Sequence, residues 1–251
     1  MLFKKFIKET FERGNVCVVG LRGRGKDMLM SNVADRRKKP YICNTDYHCK
    51  NDKSVYIPLK LSEFDINNNF IDFVRGQLRY YKHIYNDGTD IYVPDCGVYF
   101  PSQYNGELNK RFPSFPIFMA LSRQLGQCNV HTNCQNLNRV WDKIREQSDI
   151  YVMCEKIKVV GRLVFQIVTI YDNADACQNR VKPFKPLKLP IFNKDNQRTI
   201  VKAKNEELKR SFEERNGTVK RRLLVYVNHT DYDTRVFKTM LEGGQIDEKS
   251  T

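Results

Sequence analysis

A glycine-rich segment near the start of the chain holds the residues best suited to chemistry: Gly20-Leu21-Arg22-Gly23-Arg24-Gly25-Lys26-Asp27. Its spacing, G-x-x-x-x-G-K, is typical of loops that cradle phosphate. Glycines let such a loop turn tightly and present N–H groups to phosphate oxygens, while the lysine reaches the terminal phosphates. The usual pattern ends in Ser or Thr, and here Asp27 takes that place. The sequence therefore predicts a nucleotide-binding loop with an unusual metal contact.

This segment, residues 20–27, is named the phosphate loop, and a nucleotide is its expected ligand. Lys26 is a predicted catalytic residue. Arg22 and Arg24 are cations that could pair with phosphates or face solvent. The predicted cofactor-binding residues are Gly20, Arg22, Gly23, Arg24, Gly25, Lys26, Asp27 and Met28.

An enzyme with such a loop also needs a carboxylate that holds Mg²⁺ and a group that orients water. Asp95 is the candidate, because it ends the mostly apolar segment Asp90-Ile91-Tyr92-Val93-Pro94-Asp95. The alternative is an ordinary aspartate that opens a turn before Gly97. We predict Asp95 as a catalytic residue and a Mg²⁺ ligand.

Apolar patterning predicts the elements that position these residues. Strands are expected at residues 15–19, 41–43, 90–95 and 128–134, followed by a hairpin of 150–159 and 162–171. Helices are expected at 1–13, about 26–37, about 70–81, parts of 106–126 with breaks at Pro113 and Pro116, and 136–147, whereas 44–60 is expected to be irregular. Strands that alternate with helices predict an α/β fold with a central, mostly parallel sheet flanked by helices.

The composition changes after residue 172, which predicts a phosphate-loop domain over 1–172 and a small basic C-terminal appendage over 173–251. Residues 182–190 are rich in Pro and Lys and are expected to form an extended arm. Residues 202–222 are charge-rich and partly helical, and 223–227 form a last strand. The net charge of +14 favours a polyanionic partner, either nucleic acid or an anionic membrane. The basic stretch 202–222 is the first choice for phosphate contacts.

The length, apolar content and cysteines of the chain indicate which classes of protein it could belong to. The chain has 251 residues and no apolar run of 18, so no transmembrane helix is expected. Its start lacks the features of a secretory signal, and its eight cysteines are expected to be reduced thiols. His131 should point away from Cys128 and Cys134, because strand neighbours alternate faces. The basic amphipathic helix at 1–13 could pack on the domain or lie on a membrane surface.

Three blocks of the sequence resemble the Zot family, the zonular occludens toxin N-terminal domain and filamentous-phage morphogenesis ATPases, of the FtsK/HerA type of P-loop NTPase. The resemblance covers residues 14–170. The blocks are the phosphate loop, the segment 91–100 with its Cys-Gly and aromatic residues, and the segment 120–145. In the last block, Gln135 lies where related ATPases place a γ-phosphate or water sensor. The resemblance also implies an arginine that completes a neighbour's site, with Arg145 and Arg123 as candidates.

The chain departs from this family at two positions. The family has Ser or Thr at Asp27 and two adjacent acids in the second block, where this chain has one. Either Asp95 is the metal-binding acid and Cys96 replaces the catalytic Glu, or Asp95 replaces the Glu and Pro94 the metal-binding Asp. More residues align in the second arrangement. In that arrangement Asp27 could supply the Mg²⁺ carboxylate that Pro94 cannot.

The resemblance implies a viral ATPase that translocates or packages DNA, with single-stranded DNA preferred, during virion assembly or export. Its cofactors would be ATP and Mg²⁺, and its partners DNA, phage coat or assembly proteins, and further copies of itself in a ring. It would act in the host cytoplasm, with contact at the inner membrane through residues 1–13 as a further expectation. The alternatives are a non-hydrolysing protein that binds nucleotide or DNA, and a structural membrane adaptor.

Overall fold

The computed structural model describes residues 3–59, 88–126, 128–160, 163–188 and 196–227. Within them the strands are β1 (Val16–Val19), β2 (Tyr41–Cys43), β3 (Tyr56–Pro58), β4 (Asp90–Val93), β5 (Val130–Cys134), β6 (Ile150–Val160), β7 (Leu163–Tyr171) and β8 (Val219–Val227). The helices are α1 (Phe3–Thr10), α2 (Lys26–Arg37), α3 (Cys96–Tyr99), α4 (Asn105–Arg111), α5 (Ser114–Gly126), α6 (Asp142–Glu146), α7 (Ala174–Gln178) and α8 (Asn196–Asn216). The helix expected at 70–81 lies outside the described residues.

All eight strands form one sheet in the order β3-β2-β4-β5-β1-β6-β7-β8. The first six strands in this order, from β3 to β6, pair in parallel. β7 and β8 extend the sheet as antiparallel strands. The expected central, mostly parallel sheet flanked by helices is confirmed. Because carboxyl ends of parallel strands meet at one edge, the segments after β1, β4 and β5 lie side by side.

The parallel strands are buried on both faces, as their apolar runs require. In β1, Cys17 and Val19 belong to one core cluster, while Val16 and Val18 belong to the other. The second cluster also holds Leu29 and its neighbours on α2, so α2 covers that face of β1. The alternation expected around His131 is confirmed, since its ring packs on Phe11 and Tyr92 whereas Cys128 and Cys134 lie in the first cluster. All eight cysteines are free thiols.

Several expected elements differ in the structure. Residues 44–60 include β3, and the helix expected at 136–147 is a 3₁₀ turn, Leu137–Arg139, followed by α6. Val140 is extended between these two pieces, and Trp141 after it donates its N–H to the carbonyl of Phe100 at 2.8 Å instead of continuing a helix. Pro113 separates α4 from α5 as expected, but Pro116 does not interrupt α5, because it lies in the first turn, where no helical N–H is lost.

Helix α1 packs on the sheet through its apolar side chains. Phe6, Ile7 and the following Phe11 are buried in the core cluster that also contains Val225 and Val227 of β8. The lysines of the helix lie on its exposed side. Among the described helices, none combines the length and apolar character needed to cross a bilayer.

The tail contributes a strand to this same sheet. β8 pairs antiparallel with β7 from Val164↔Val227 to Tyr171↔Val219. It is longer than the expected strand at 223–227, and residues expected to be an arm at 182–188 form neither helix nor strand. The boundary near residue 172 remains a prediction.

A buried ion cluster fixes the amino end of β4. The carboxylate of Asp90, which is 1% exposed, lies 2.7 Å from Arg37 Nε and 2.7 Å from Lys39 Nζ. It also accepts the N–H of Asn129 at 3.3 Å. Burial alone would raise the pKa of Asp90, but the cations of Lys39 and Arg37 outweigh it and hold the pKa well below its usual range. The cluster therefore joins the end of α2 to β4 and β5.

Replacing Asp90 with Asn should lower the free energy of unfolding by about 3–5 kcal/mol, because two cations would stay buried without their carboxylate. Urea unfolding followed by circular dichroism measures this change. The matched control is Asp52→Asn at an exposed aspartate, which should change stability by less than about 0.5 kcal/mol. Equal stability of both variants would contradict the role given to the cluster.

The difference in stability between wild type and Asp90→Asn should depend on pH. The Asp90 carboxyl has a folded-state pKa below its unfolded value, so its contribution is fully present above an unfolded pKa of about 4. It is lost as the pH falls below that value. The stability gap between wild type and Asp90→Asn should therefore narrow as the pH falls below about 4 in urea titrations. A constant gap across that range would show that the carboxyl does not titrate with folding.

Candidate nucleotide-binding site

The phosphate loop leaves the carboxyl end of β1 and closes tightly on itself. Arg24 N–H donates to the carbonyl of Leu21 at 3.2 Å, and Gly20 N–H to that of Cys134 at 3.2 Å. Gly23 and Gly25 adopt φ of 74° and 76°, a region that side-chain-bearing residues rarely occupy. At Gly20, a Cβ atom would lie 2.9 Å from the carbonyl oxygen of Cys154. The three glycines are therefore required by backbone shape, as the motif predicts.

The cationic residues of the loop divide into a buried and an exposed group. Lys26 is 5% exposed and is the first residue of α2, so its side chain starts where the helix presents free amides and a positive dipole end. Arg22 and Arg24 are exposed on the loop. Met28, the third residue of α2, is half-buried. This arrangement offers backbone donors and cations to a phosphate chain.

Gln166 of β7 holds the phosphate loop through two hydrogen bonds to its backbone. Its side-chain amide donates to the carbonyl of Arg24 at 2.7 Å and to that of Gly25 at 3.1 Å. The residue is fully buried, and a Cβ atom at Gly25 would lie 3.2 Å from the same nitrogen. Sequence reasoning missed this residue. Its signal was one polar side chain inside the apolar run Val164-Phe165-Gln166-Ile167-Val168, because buried polar groups need partners.

Asn133, near the carboxyl end of β5, connects the carboxylate of Asp27 to the backbone of Asp95. Its amide nitrogen donates to Asp27 Oδ1 at 2.6 Å, and its amide oxygen accepts the backbone N–H of Asp95 at 2.8 Å. The side chain is fully buried, and its nitrogen also lies 3.2 Å from Met30 Sδ. Sequence reasoning missed Asn133 as well, although it chose Gln135 two residues later.

The two carboxylates differ in their surroundings. Burial raises the pKa of Asp27, the nearby charge of Asp95 raises it further, and the Asn133 hydrogen bond and Lys26 lower it in part. Asp95 is exposed and adopts φ of 50°, an uncommon conformation for a residue with a side chain. A cation between the two groups would relieve their repulsion.

The donor set fits Mg²⁺ as a partial site. Two carboxylates are hard oxygen ligands, and Mg²⁺ usually takes one or two of them together with phosphate and water. The described residues include no group of three or more His, Cys, Asp or Glu side chains arranged to hold a metal ion. Remaining ligands would therefore come from phosphate oxygens and water.

Gln135 and Asp95 share a pocket at this edge of the sheet. Its wall also includes Gly97, Val98, Cys134, Asn136 and Arg139. Gln135 is exposed, so its amide is free to meet a ligand or a neighbouring subunit. Arg139 is an exposed cation in the same wall that sequence reasoning did not select.

The two predicted trans-acting arginines lie away from the loop. Arg145 is on α6, which leads into the amino end of β6, and β6 pairs in parallel with β1. It therefore lies at the end of the sheet opposite the phosphate loop. Arg123 is on α5, and its side chain lies outside the described residues.

A cavity of about 380 Å³ opens beside the phosphate loop, within the size range of small-molecule sites. Leu21 and Arg24 form its wall on the loop side, and Arg180 and Lys182 form part of the opposite wall. Thr169 and Arg222 connect the cavity to β7 and β8.

No protein-family model and no curated protein sequence matches the chain. Similar solved structures include the genome packaging NTPase B204 from Sulfolobus turreted icosahedral virus 2 in complex with AMP, at 14% identity and a TM-score of 0.43 over 66% of this chain and 94% of that chain. The N-terminal domain of zonular occludens toxin from Neisseria meningitidis is 12% identical, with a TM-score of 0.43 over 90% of this chain and 97% of that one. EssC (ATPases 2 and 3) from Geobacillus thermodenitrificans is 13% identical, with a TM-score of 0.40 over 80% and 44%. The likeness concerns the course of the chain and carries no statement about activity.

Replacing Gln166 with Met keeps the volume of the side chain and removes both hydrogen bonds to the loop carbonyls. We expect ATP affinity, measured by isothermal titration calorimetry, to fall about tenfold, because buried carbonyls would lose their donor and the loop its support. Gln103→Met at an exposed glutamine is the matched control and should bind as wild type does. Unchanged affinity of the Gln166 variant would show that the loop does not need this support.

Proposed function

We propose that this chain is a viral ATPase that moves or packages single-stranded DNA during virion assembly. The observation that carries the proposal is the Asn133 side chain, which holds Asp27 of the phosphate loop and the backbone of Asp95 at once. Together with the buried Lys26, it gathers phosphate-binding and metal-binding groups at one edge of the sheet.

In the proposed mechanism, the loop amides and Lys26 bind the β- and γ-phosphates of ATP. Asp27 and Asp95 would hold Mg²⁺, which would neutralise charge on the phosphates when it is bound. The exposed carboxylate of Asp95 orients the attacking water and accepts its proton, and Gln135 contacts the γ-phosphate across the shared pocket. Asn133 would hold the Asp27 carboxylate and the Asp95 backbone in position while the phosphates change.

The coupling of this chemistry to DNA movement requires more than one copy of the chain. We propose a ring in which Arg145 of one copy completes the site of the next, since its own loop lies at the opposite edge of the sheet. Phage coat or assembly proteins would be further partners in the host cytoplasm, where the basic surface would attract DNA.

A second candidate is a protein that binds nucleotide without turnover. It is favoured by the side chain of Asp27, which is engaged by Asn133 at 2.6 Å where a Ser or Thr hydroxyl would otherwise face the metal. Measured turnover of ATP that increases with single-stranded DNA would exclude this alternative.

Lys26→Ala should abolish ATP binding at micromolar concentration and lower the rate of hydrolysis by about 100-fold or more, because the cation nearest the phosphates is lost. Phosphate release and calorimetry measure the two effects. Lys8→Ala on the exposed side of α1 is the control and should leave both unchanged. Full hydrolysis by Lys26→Ala would rule out the loop as the catalytic site.

Asp27 can be tested by two substitutions with different consequences. Asp27→Ala should lower Mg²⁺-dependent hydrolysis at least tenfold, because the loop loses its metal carboxylate, whereas Asp27→Ser restores the hydroxyl of the usual motif and should retain more activity. If Asp27→Ala hydrolyses ATP as fast as wild type, Asp27 is not a metal ligand in turnover.

A further inference from the structure

The antiparallel end of the sheet presents a surface that the proposed site does not use. β6 and β7 continue beyond the parallel strands, and β8 pairs along β7. Directly paired residues form two rows across these three strands: Lys158, Phe165 and Tyr226 in one, and Lys156, Ile167 and Leu224 in the other. These six residues are named the basic–aromatic face.

The orientation of this face follows from the strand period of two. Val164, Val225 and Val227 pack in or against a core cluster on the opposite side of the strands. Phe165 and Tyr226 therefore stand on the outer side, with ring centroids 5.6 Å apart. Tyr226 is 37% exposed, and Leu224 beside it is also exposed.

The charge on the face is positive. Lys156 and Lys158 are exposed at the β6 end of the two rows. Arg222 lies two residues before Leu224 on β8, where it pairs with Thr169 of β7. Glu155 carries the opposing charge beside Arg222, because its carboxylate pairs with Arg222 and accepts the hydroxyl of Thr169 at 2.5 Å. Cations that flank two neighbouring rings complement a chain of stacked bases joined by phosphates.

We propose that the basic–aromatic face binds single-stranded nucleic acid, with bases stacked on Phe165 and Tyr226 and phosphates paired with Lys156 and Lys158. The choice of DNA as the nucleic acid rests on the proposed function. A sheet face with the exposed ring of Tyr226 beside the half-buried ring of Phe165 suits unpaired bases, whose faces are free to stack, better than a duplex. This site differs from the stretch 202–222 that the sequence favoured, since most of its residues lie on β6 and β7.

The face is continuous with the cavity beside the phosphate loop. Arg222 and Thr169 line that cavity together with Arg24. Arg180 and Lys182 add two further cations to its wall. A strand bound on the face would thus run toward the nucleotide site along positive charge.

The test is fluorescence anisotropy of the full chain with fluorescein-labelled oligothymidylate of about 20 nucleotides, in the absence of ATP. Tyr226→Ala and Phe165→Ala should each weaken binding about tenfold, whereas Tyr226→Phe keeps the ring and should bind within about twofold of wild type. The double variant Lys156→Gln/Lys158→Gln should lower the salt dependence of log K by about 1.4, the value for two lost phosphate contacts.

Lys202→Gln/Lys204→Gln on α8 is the matched control, because it removes the same charge from another exposed site. The proposal is overturned if this control weakens binding as much as the Lys156/Lys158 variant, or if both ring variants, with wild-type melting temperatures, bind as wild type does. Tight binding to duplex with no preference for single strands would overturn it too. Lys26→Ala should bind the oligonucleotide normally, so loss of ATPase activity and loss of DNA binding remain distinguishable.

Discussion

The amide of Asn133 is the contact on which the candidate site depends. β5 lies between β1 and β4, so a side chain at its carboxyl end can reach both the phosphate loop and the residue that ends β4. Asn offers a donor and an acceptor on one planar group, and here the donor meets Asp27 and the acceptor meets the N–H of Asp95. A carboxylate or an aliphatic side chain could make only one of these bonds or neither. The strand order and this amide together fix the distance between loop and acid.

The two places where the chain departs from the family pattern are close in space. They are Asp27 in the phosphate loop and the segment that ends in Asp95, and Asn133 contacts both. Asp27 is placed at the start of a helix, next to Lys26 and a hydrogen-bond donor, and all three stabilise a negative charge. Burial and the charge of Asp95 act in the other direction, and their sum raises the pKa of Asp27. A site that keeps two repelling carboxylates at the phosphate loop is stabilised when a cation joins them. Asp27 and Asp95 would thus both be favoured by one bound positive charge.

Local patterns predicted those parts of the fold that local forces determine. β2 and α2 lie at the expected residues, because a short apolar run and a glycine-to-lysine helix start are visible in sequence. β3 was not predicted, since Tyr56–Pro58 has three residues and gains its structure from pairing with β2. Asn133 and Gln166 were missed for a similar reason. Their partners are far away in the chain, and only the strand register brings them together.

The difference in strand length explains why the loop and the basic–aromatic face occur together. β6 has 11 residues and β1 has four, so β6 and β7 extend past the end of the parallel strands. On one side of this extension, Ile157 and Gln166 contact the phosphate loop at Gly25. Their chain neighbours Lys158 and Phe165 point to the other side, because successive residues of a strand alternate. The phosphate loop and the basic–aromatic face are therefore built on adjacent residues of the same two strands, with the sheet between them.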